Sequence, residues 1–239
     1  MLDRCRLLIP SVAESAHEEL RWIEAGIRGG ISTPQWQLVR YRAPALIYGR
    51  SSPVMADVER RARLIGCEVI QRRTGGGAVF AGPWMLGCNI LLPATHPWSQ
   101  GSHIVAFREF GELWMRSLAA LGVSSSMAES RHFQERDVAV RSALLQWSCF
   151  AGLSHGEGLD NQGRKLLGLA QARSRWGSLL SAGLLLSSAP WEAMEFLHHG
   201  QVIERSRMHA MASDGIGPQA NAADVEQQLS QRIPSALVG

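Results

Sequence analysis

Between residues 12 and 28 the apolar positions Val12, Ala16, Leu20, Ile23 and Ile27 recur at helical spacing. The pattern predicts an amphipathic helix with Ser11 as its N-cap and Gly29-Gly30 as its stop. Residues 36–41 alternate as a strand, and a second strand over 45–49 follows the break at Pro44. A helix over 56–65 comes next, then short strands at 68–71, 78–81 and 85–92. Over 104–121, Val105, Phe107, Leu113, Trp114, Leu118 and Leu121 supply much of an apolar face, which predicts a second long helix ended by Gly122. Further strands are expected at 123–126, 144–150, 164–173 and 178–186. A short helix over 190–197, a loop rich in Gly, Ala and Ser over 213–221, and a last amphipathic helix over 222–232 complete the chain. Strands and helices arrive in mixed blocks with no internal repeat, so the expected class is α+β with a mixed or antiparallel sheet.

Composition narrows the function. The chain has 239 residues, 46% hydrophobic and 19% charged, enough for a large core and unlike disordered or collagenous sequences. A net charge of +3 gives no strong field toward nucleic acid or an anionic membrane, so small molecules or protein partners fit better. No apolar run approaches the roughly 20 residues of a membrane span. The N-terminal run is too short for a signal sequence. Cys5, Cys67, Cys88 and Cys149 show neither disulfide-scaffold nor metal-ligand spacing, and the histidines lack partners at metal spacing, so a reducing cytoplasm and no metal site are expected.

Three segments carry chemistry. In Arg72-Arg73-Thr74-Gly75-Gly76-Gly77-Ala78-Val79-Phe80, consecutive glycines let backbone N–H groups face a ligand, and the arginines can neutralise a carboxylate or phosphate. The segment is neither a P-loop nor a dinucleotide fingerprint; a plain hairpin turn is the bland alternative. The second is Gly163-Arg164-Lys165-Leu166-Leu167-Gly168-Leu169-Ala170-Gln171. Its Lys165 stands where every other basic residue of the chain is arginine, which makes it the first catalytic candidate, a compact point charge between glycines. The third is Cys149, either a small buried hydrophobe or a nucleophile whose thiol would need a cation such as Lys165 or the nearby His155.

With these residues in view, the chain resembles the lipoate–protein ligase and octanoyltransferase family, relatives of the biotin protein ligases. The glycine segment is similar to the family's R-R-x-G-G-G-A-V-[FY] loop, the lysine segment to its G-[RK]-K-[IVL]-x-G-x-[AS]-Q strand, and Pro44-Ala45-Leu46-Ile47-Tyr48-Gly49-Arg50 to its P-x-[LV]-[IV]-x-G-[RK] stretch. The resemblance implies a twisted mixed sheet flanked by helices, the biotin/lipoate-ligase-like catalytic domain, over residues 1–200, with a loop and helix over 201–239 packed on it. It implies a pocket for an eight-carbon acyl chain, with Arg72, Arg73, Gly75, Gly76, Gly77, Ala78, Gly168 and Ala170 binding substrate and Lys165 beside the reacting acyl group. Three activities are compatible with it. One is a ligase that uses ATP and Mg²⁺ to form lipoyl-AMP. The second is an octanoyltransferase that takes octanoate from acyl carrier protein through a thioester on Cys149 and needs no cofactor. The third is a non-catalytic acyl-binding homologue. The implied acceptors are lysines on lipoyl domains of 2-oxoacid dehydrogenases or on the glycine cleavage H protein. Biotin ligation fits less well, because Arg-Arg-Thr-Gly-Gly-Gly replaces the expected Gly-Arg-Gly-Arg. The chain departs from the family pattern at Ala81-Gly82, where many members carry His-Asp or His-Gly, and in its first helix, where Glu18-Glu19-Leu20 is the nearest counterpart of N-x-x-x-D-E. Too few residues follow Leu186 for the C-terminal accessory domain of the longer ligases.

Overall fold

All eight residues from Met85 to Leu92 are buried, as expected of a strand covered on both faces. The computed structural model describes residues 10–54 and 56–238; Cys5 lies outside them. In chain order the elements are β1 (Ser11–Ala13), α1 (Ala16–Gly29), β2 (Gln35–Arg40), β3 (Ala45–Tyr48), α2 (Ala56–Leu64), β4 (Glu68–Gln71), β5 (Val79–Ala81), β6 (Met85–Leu92), α3 (Pro97–Gln100), α4 (His103–Ala120), β7 (Ser125–Met127), α5 (Ser130–Ser142), β8 (Gly158–Asp160), β9 (Lys165–Ser174), β10 (Gly177–Leu185), α6 (Trp191–His199), a 3₁₀ turn (Arg207–Ala210) and α7 (Ala222–Leu237). The fold is α+β with a mixed sheet, as the sequence pattern implies.

Seven strands form the main sheet in the order β1-β2-β6-β10-β9-β8-β7, and three form a second, β4-β3-β5. The β1–β2 and β3–β4 pairs are parallel and the others antiparallel. Residues paired across a sheet share a face, so the register places side chains in rows. One row reads Gly168, Gly183, Gly87 and Val39 from β9 to β2; the next reads Ala170, Ser181, Asn89 and Gln37. Small residues in neighbouring strands leave a shallow trough across the middle of the sheet. Helix α1 lies on β6 and β4, and α4 packs against α7, β7 and β9.

Several elements differ from the sequence reading, each for a physical reason. Residues 11–13 form a strand beside β2, and the helix starts later, with Ser15 Oγ accepting the Glu18 amide at 3.2 Å. The expected strand over 144–150 is a series of turns whose contact with a sheet is one parallel bridge, Ser148 to Ala78. Helix α5 has no counterpart in the reading, because its sequence SRHFQERDVAVRS presents no apolar stripe and buries only Val140. Helix α7 continues through Pro234 to Leu237, where burial of Ile233 and Leu237 outweighs the lost proline hydrogen bond.

Leu144, just past α5, holds φ at 56° while the residue is 65% exposed. The left-handed conformation costs an L-residue about 1–2 kcal/mol, and little packing offsets it here. Leu144→Gly should therefore raise stability by roughly 0.5–1 kcal/mol once the larger chain entropy of glycine is counted, as measured by urea unfolding. A loss of stability would refute the strain.

Candidate active site

The trough is the floor of a cleft. Ala16, Glu19, Leu20 and Ile23 of α1 and Ile47, Ile70 and Val79 of the small sheet line it together with Gly168, Leu169, Ala170, Ser181, Ala182 and Gly183. The lining is predominantly apolar. Its free volume of about 50 Å³ is narrow, room for roughly three or four waters. Its polar groups include a hydrogen-bonded cluster around Glu19. The Glu19 carboxylate accepts from Asn89 Nδ2 at 2.9 Å and from the Tyr41 hydroxyl at 2.8 Å, and Ser181 Oγ donates to Asn89 Oδ1 at 2.6 Å. Burial pushes the Glu19 carboxyl above the usual carboxylate range, against the lowering effect of Asn89, Tyr41 and the Arg72 charge.

At β9 the cleft meets a chamber of about 350 Å³ with a mixed lining that includes Gly75, Gly76, Gly77, Ser148, Gly152, Glu157 and Lys165. Arg72, Cys149, Leu169 and Ala170 line both spaces and so form the junction. The glycine loop is fixed from two sides. The Arg50 amide donates to Thr74 O at 2.9 Å and the Arg72 amide to Tyr48 O at 2.8 Å, while the Ala78 amide donates to Trp147 O and the Cys149 amide to Ala78 O. Close approach explains two of its glycine requirements: a Cβ on Gly49 would overlap the Gly76 carbonyl, and one on Gly77 would lie 2.5 Å from Trp147 O. Gly76 itself has φ at 96°. Among the described residues, no hydrogen bond is donated by the amides of Gly75, Gly76 or Gly77.

Lys165 is 1% exposed at the start of β9, and its ammonium has three acceptors: Cys149 O at 2.8 Å, Gly152 O at 3.1 Å and Glu157 Oε1 at 2.7 Å. Glu157 is itself buried and accepts the Leu169 amide at 3.0 Å and the Ser154 amide at 2.8 Å. The buried charge is thus paired and every ammonium proton is used. The backbone of Lys165 is held by residues 211–213, through Met211 O and the Ser213 amide. Arg136 of α5 spans the same region, donating to Met211 O at 2.9 Å and Gly163 O at 2.6 Å.

The structure therefore brings together Lys165, Cys149, Arg72, Gly75, Gly76, Gly77, Gly168 and Ala170. Arg73 lines the cleft and pairs with Glu24 at 3.5 Å; Ala78 is buried beneath the loop as its tether. Lys165 approaches Cys149 through the backbone carbonyl; the cation at the thiol is Arg72, whose Nη2 is 3.9 Å from Sγ. His155 packs edge-on against Phe133. Ala81 is fully buried opposite Ala45 and lines neither space. Sequence reasoning missed Glu157, Arg136 and the 211–213 segment. Only Glu157 left a signal, as a carboxylate near a lysine that would need a countercharge once buried.

The match to known proteins follows from this arrangement. The model of the lipoyl protein ligase A/B catalytic domain matches residues 27–233. The chain belongs to the lipoyl protein ligase A/B family. Among solved structures, a putative lipoate protein ligase of T. acidophilum with bound lipoic acid superposes at a TM-score of 0.69 with 18% identity, covering 98% of this chain and 85% of that one. A lipoate-protein ligase A bound with ATP gives 0.68 and 16%, covering 96% and 85%. A bi-partite lipoate protein ligase described with its E2 lipoyl domain, from Thermoplasma acidophilum, gives 0.65 and 15%, covering 96% and 84%. At these identities the likeness is one of fold. No curated protein matches the chain in sequence.

Two expectations test this family member's site. Gly49→Ala should cost about 2 kcal/mol or more in unfolding free energy, because the clash is with backbone, whereas Gly75→Ala, which meets open space, should stay within about 1 kcal/mol. Equal effects would contradict the close approach. For Glu19, a carboxyl pKa raised by folding means that the native state binds more protons than the unfolded state above the ordinary carboxylate pKa, so stability falls as pH rises through the window up to the raised value. Glu19→Gln removes that loss. The variant should be more stable than the parent at neutral pH and lose that advantage as pH falls into the ordinary carboxylate range, read by urea melts at both.

Proposed function

We propose that the protein attaches lipoate to a lysine of a lipoyl domain through lipoyl-AMP. The observation that carries the reading is the junction: an apolar cleft opens at Arg72, Cys149, Leu169 and Ala170 onto a chamber holding Lys165 and three glycine amides without protein acceptors. A lipoate carboxylate placed there attacks the α-phosphorus of ATP, and pyrophosphate leaves. The acceptor lysine, as free amine, then attacks the acyl carbon, loses a proton and expels AMP. The glycine amides and Arg72 suit the phosphates, which need donors and positive charge. Magnesium would supply charge neutralisation of the triphosphate, and Asp137 is the chamber carboxylate outside any ion pair among the described residues. Lys165 acts by exchanging a carbonyl partner for the acyl oxygen, which becomes negative in the tetrahedral intermediate.

A second reading rests on Cys149, a half-buried thiol at the junction beside Arg72. As an octanoyltransferase, its thiolate attacks octanoyl-[acyl carrier protein], the carrier thiol leaves, and the acceptor lysine takes the acyl group from the Cys149 thioester. Purified protein with a lipoyl domain separates the readings. Modification with ATP and lipoate, unchanged in Cys149→Ala, supports the ligase; modification only from octanoyl carrier protein, abolished in Cys149→Ala, overturns it. If neither donor modifies the domain while lipoate binds, the homologue is non-catalytic. In either active case Lys165→Ala should lower the transfer rate by about 10²–10³, measured by mass spectrometry of the lipoyl domain. A fall under tenfold would remove Lys165 from the reaction.

A further inference from the structure

We propose that Met85 is the end stop of the acyl cleft and sets the chain length it accepts, an inference that rests on the reading of the cleft as an acyl site. The cleft crosses the sheet from β9, where Leu169 and Ala170 border the chamber, over β10 to β6. Gly168 and Gly183 line its floor, and the same row continues to Gly87 on β6. Two strand spacings separate the ends, about 10 Å, the extended length of an acyl chain of about eight carbons. Met85 is the first residue of β6 and lies on the same face as Gly87. It is 2% exposed and lines the cleft. Its thioether folds back over Gly183, with Sδ 3.0 Å and Cε 3.7 Å from where a Cβ on that glycine would stand. Met85 therefore occupies the hollow that the glycine row creates.

The neighbouring wall does not yield in the same way. The Tyr41 hydroxyl sits 2.9 Å from the place of a Cβ on Gly87 and is tied to Glu19. An unbranched thioether with three rotatable bonds and no hydrogen bond to hold it is the side chain able to shift as a guest enters, and the narrow free volume requires one to shift. Truncating it uncovers Gly183 and adds space for two further methylenes. A bulkier, stiffer ring has the opposite effect.

The test is direct binding, independent of either chemical reaction: calorimetric titration of hexanoate, octanoate, decanoate and dodecanoate into the wild-type protein, Met85→Ala and Met85→Phe, with thermal melts to confirm folding. Wild type should prefer octanoate. In Met85→Ala the affinity for decanoate relative to octanoate should rise about fifteenfold, since each of the two added methylenes is worth about fourfold when buried. Met85→Phe keeps the space filled and should move the preference to hexanoate, so the idea stays testable if the alanine variant does not fold. An unchanged order of affinities in a folded variant overturns the role of Met85 alone. Absence of binding of any acid by the wild type overturns the acyl-cleft reading and this inference with it.

Discussion

The ammonium of Lys165 governs the geometry around it. A charge this deeply buried is tolerated only when paired and fully hydrogen-bonded, and the acceptors come from separate stretches of chain: the carboxylate of Glu157 and the carbonyls of Cys149 and Gly152. Glu157 in turn holds the amides of Ser154 and Leu169. One cation thus organises the turns that carry the thiol and joins them to β9. These bonds use all three ammonium protons, so any further acceptor must displace one of the present partners.

Around that charge the architecture is an exercise in removing side chains. Gly168, Gly183 and Gly87 align because their strands are antiparallel and in register, and the trough they leave exists only at that register. Gly49 and Gly77 let two backbones approach where any side chain would collide. The small sheet and α1 close over the trough, and Trp147 stacks on His198 with ring centroids 4.0 Å apart. Burial, with the charges of His199 and Arg61, pushes the His198 imidazole down to about 4, so the ring stacked on Trp147 stays neutral at neutral pH.

The sequence made the site more legible than the fold. Residues 72–80 and 163–171 announce themselves through composition, three glycines together and one lysine among arginines, and both segments meet at the junction. Helix α5 was invisible because its buried contribution is the Arg136 guanidinium and one valine, not an apolar stripe. The turns over 144–150 read as a strand because Leu145, Trp147 and Cys149 alternate with Gln146 and Ser148, a pattern that a partly buried loop can share. Glu157 is recognisable only once the lysine is known to be inside, which is a tertiary fact.

The sole lysine of this chain is also the most enclosed cation among the described residues. A protein that handles an activated carboxylic acid ordinarily exposes many amines of its own to that reagent. Here arginine covers the surface, and guanidinium groups are poor acyl acceptors because they stay protonated. Under the proposed acyl reading, the one lysine side chain an activated acyl group could meet on this chain is Lys165, already paired with Glu157, which leaves an incoming foreign amine with little internal competition.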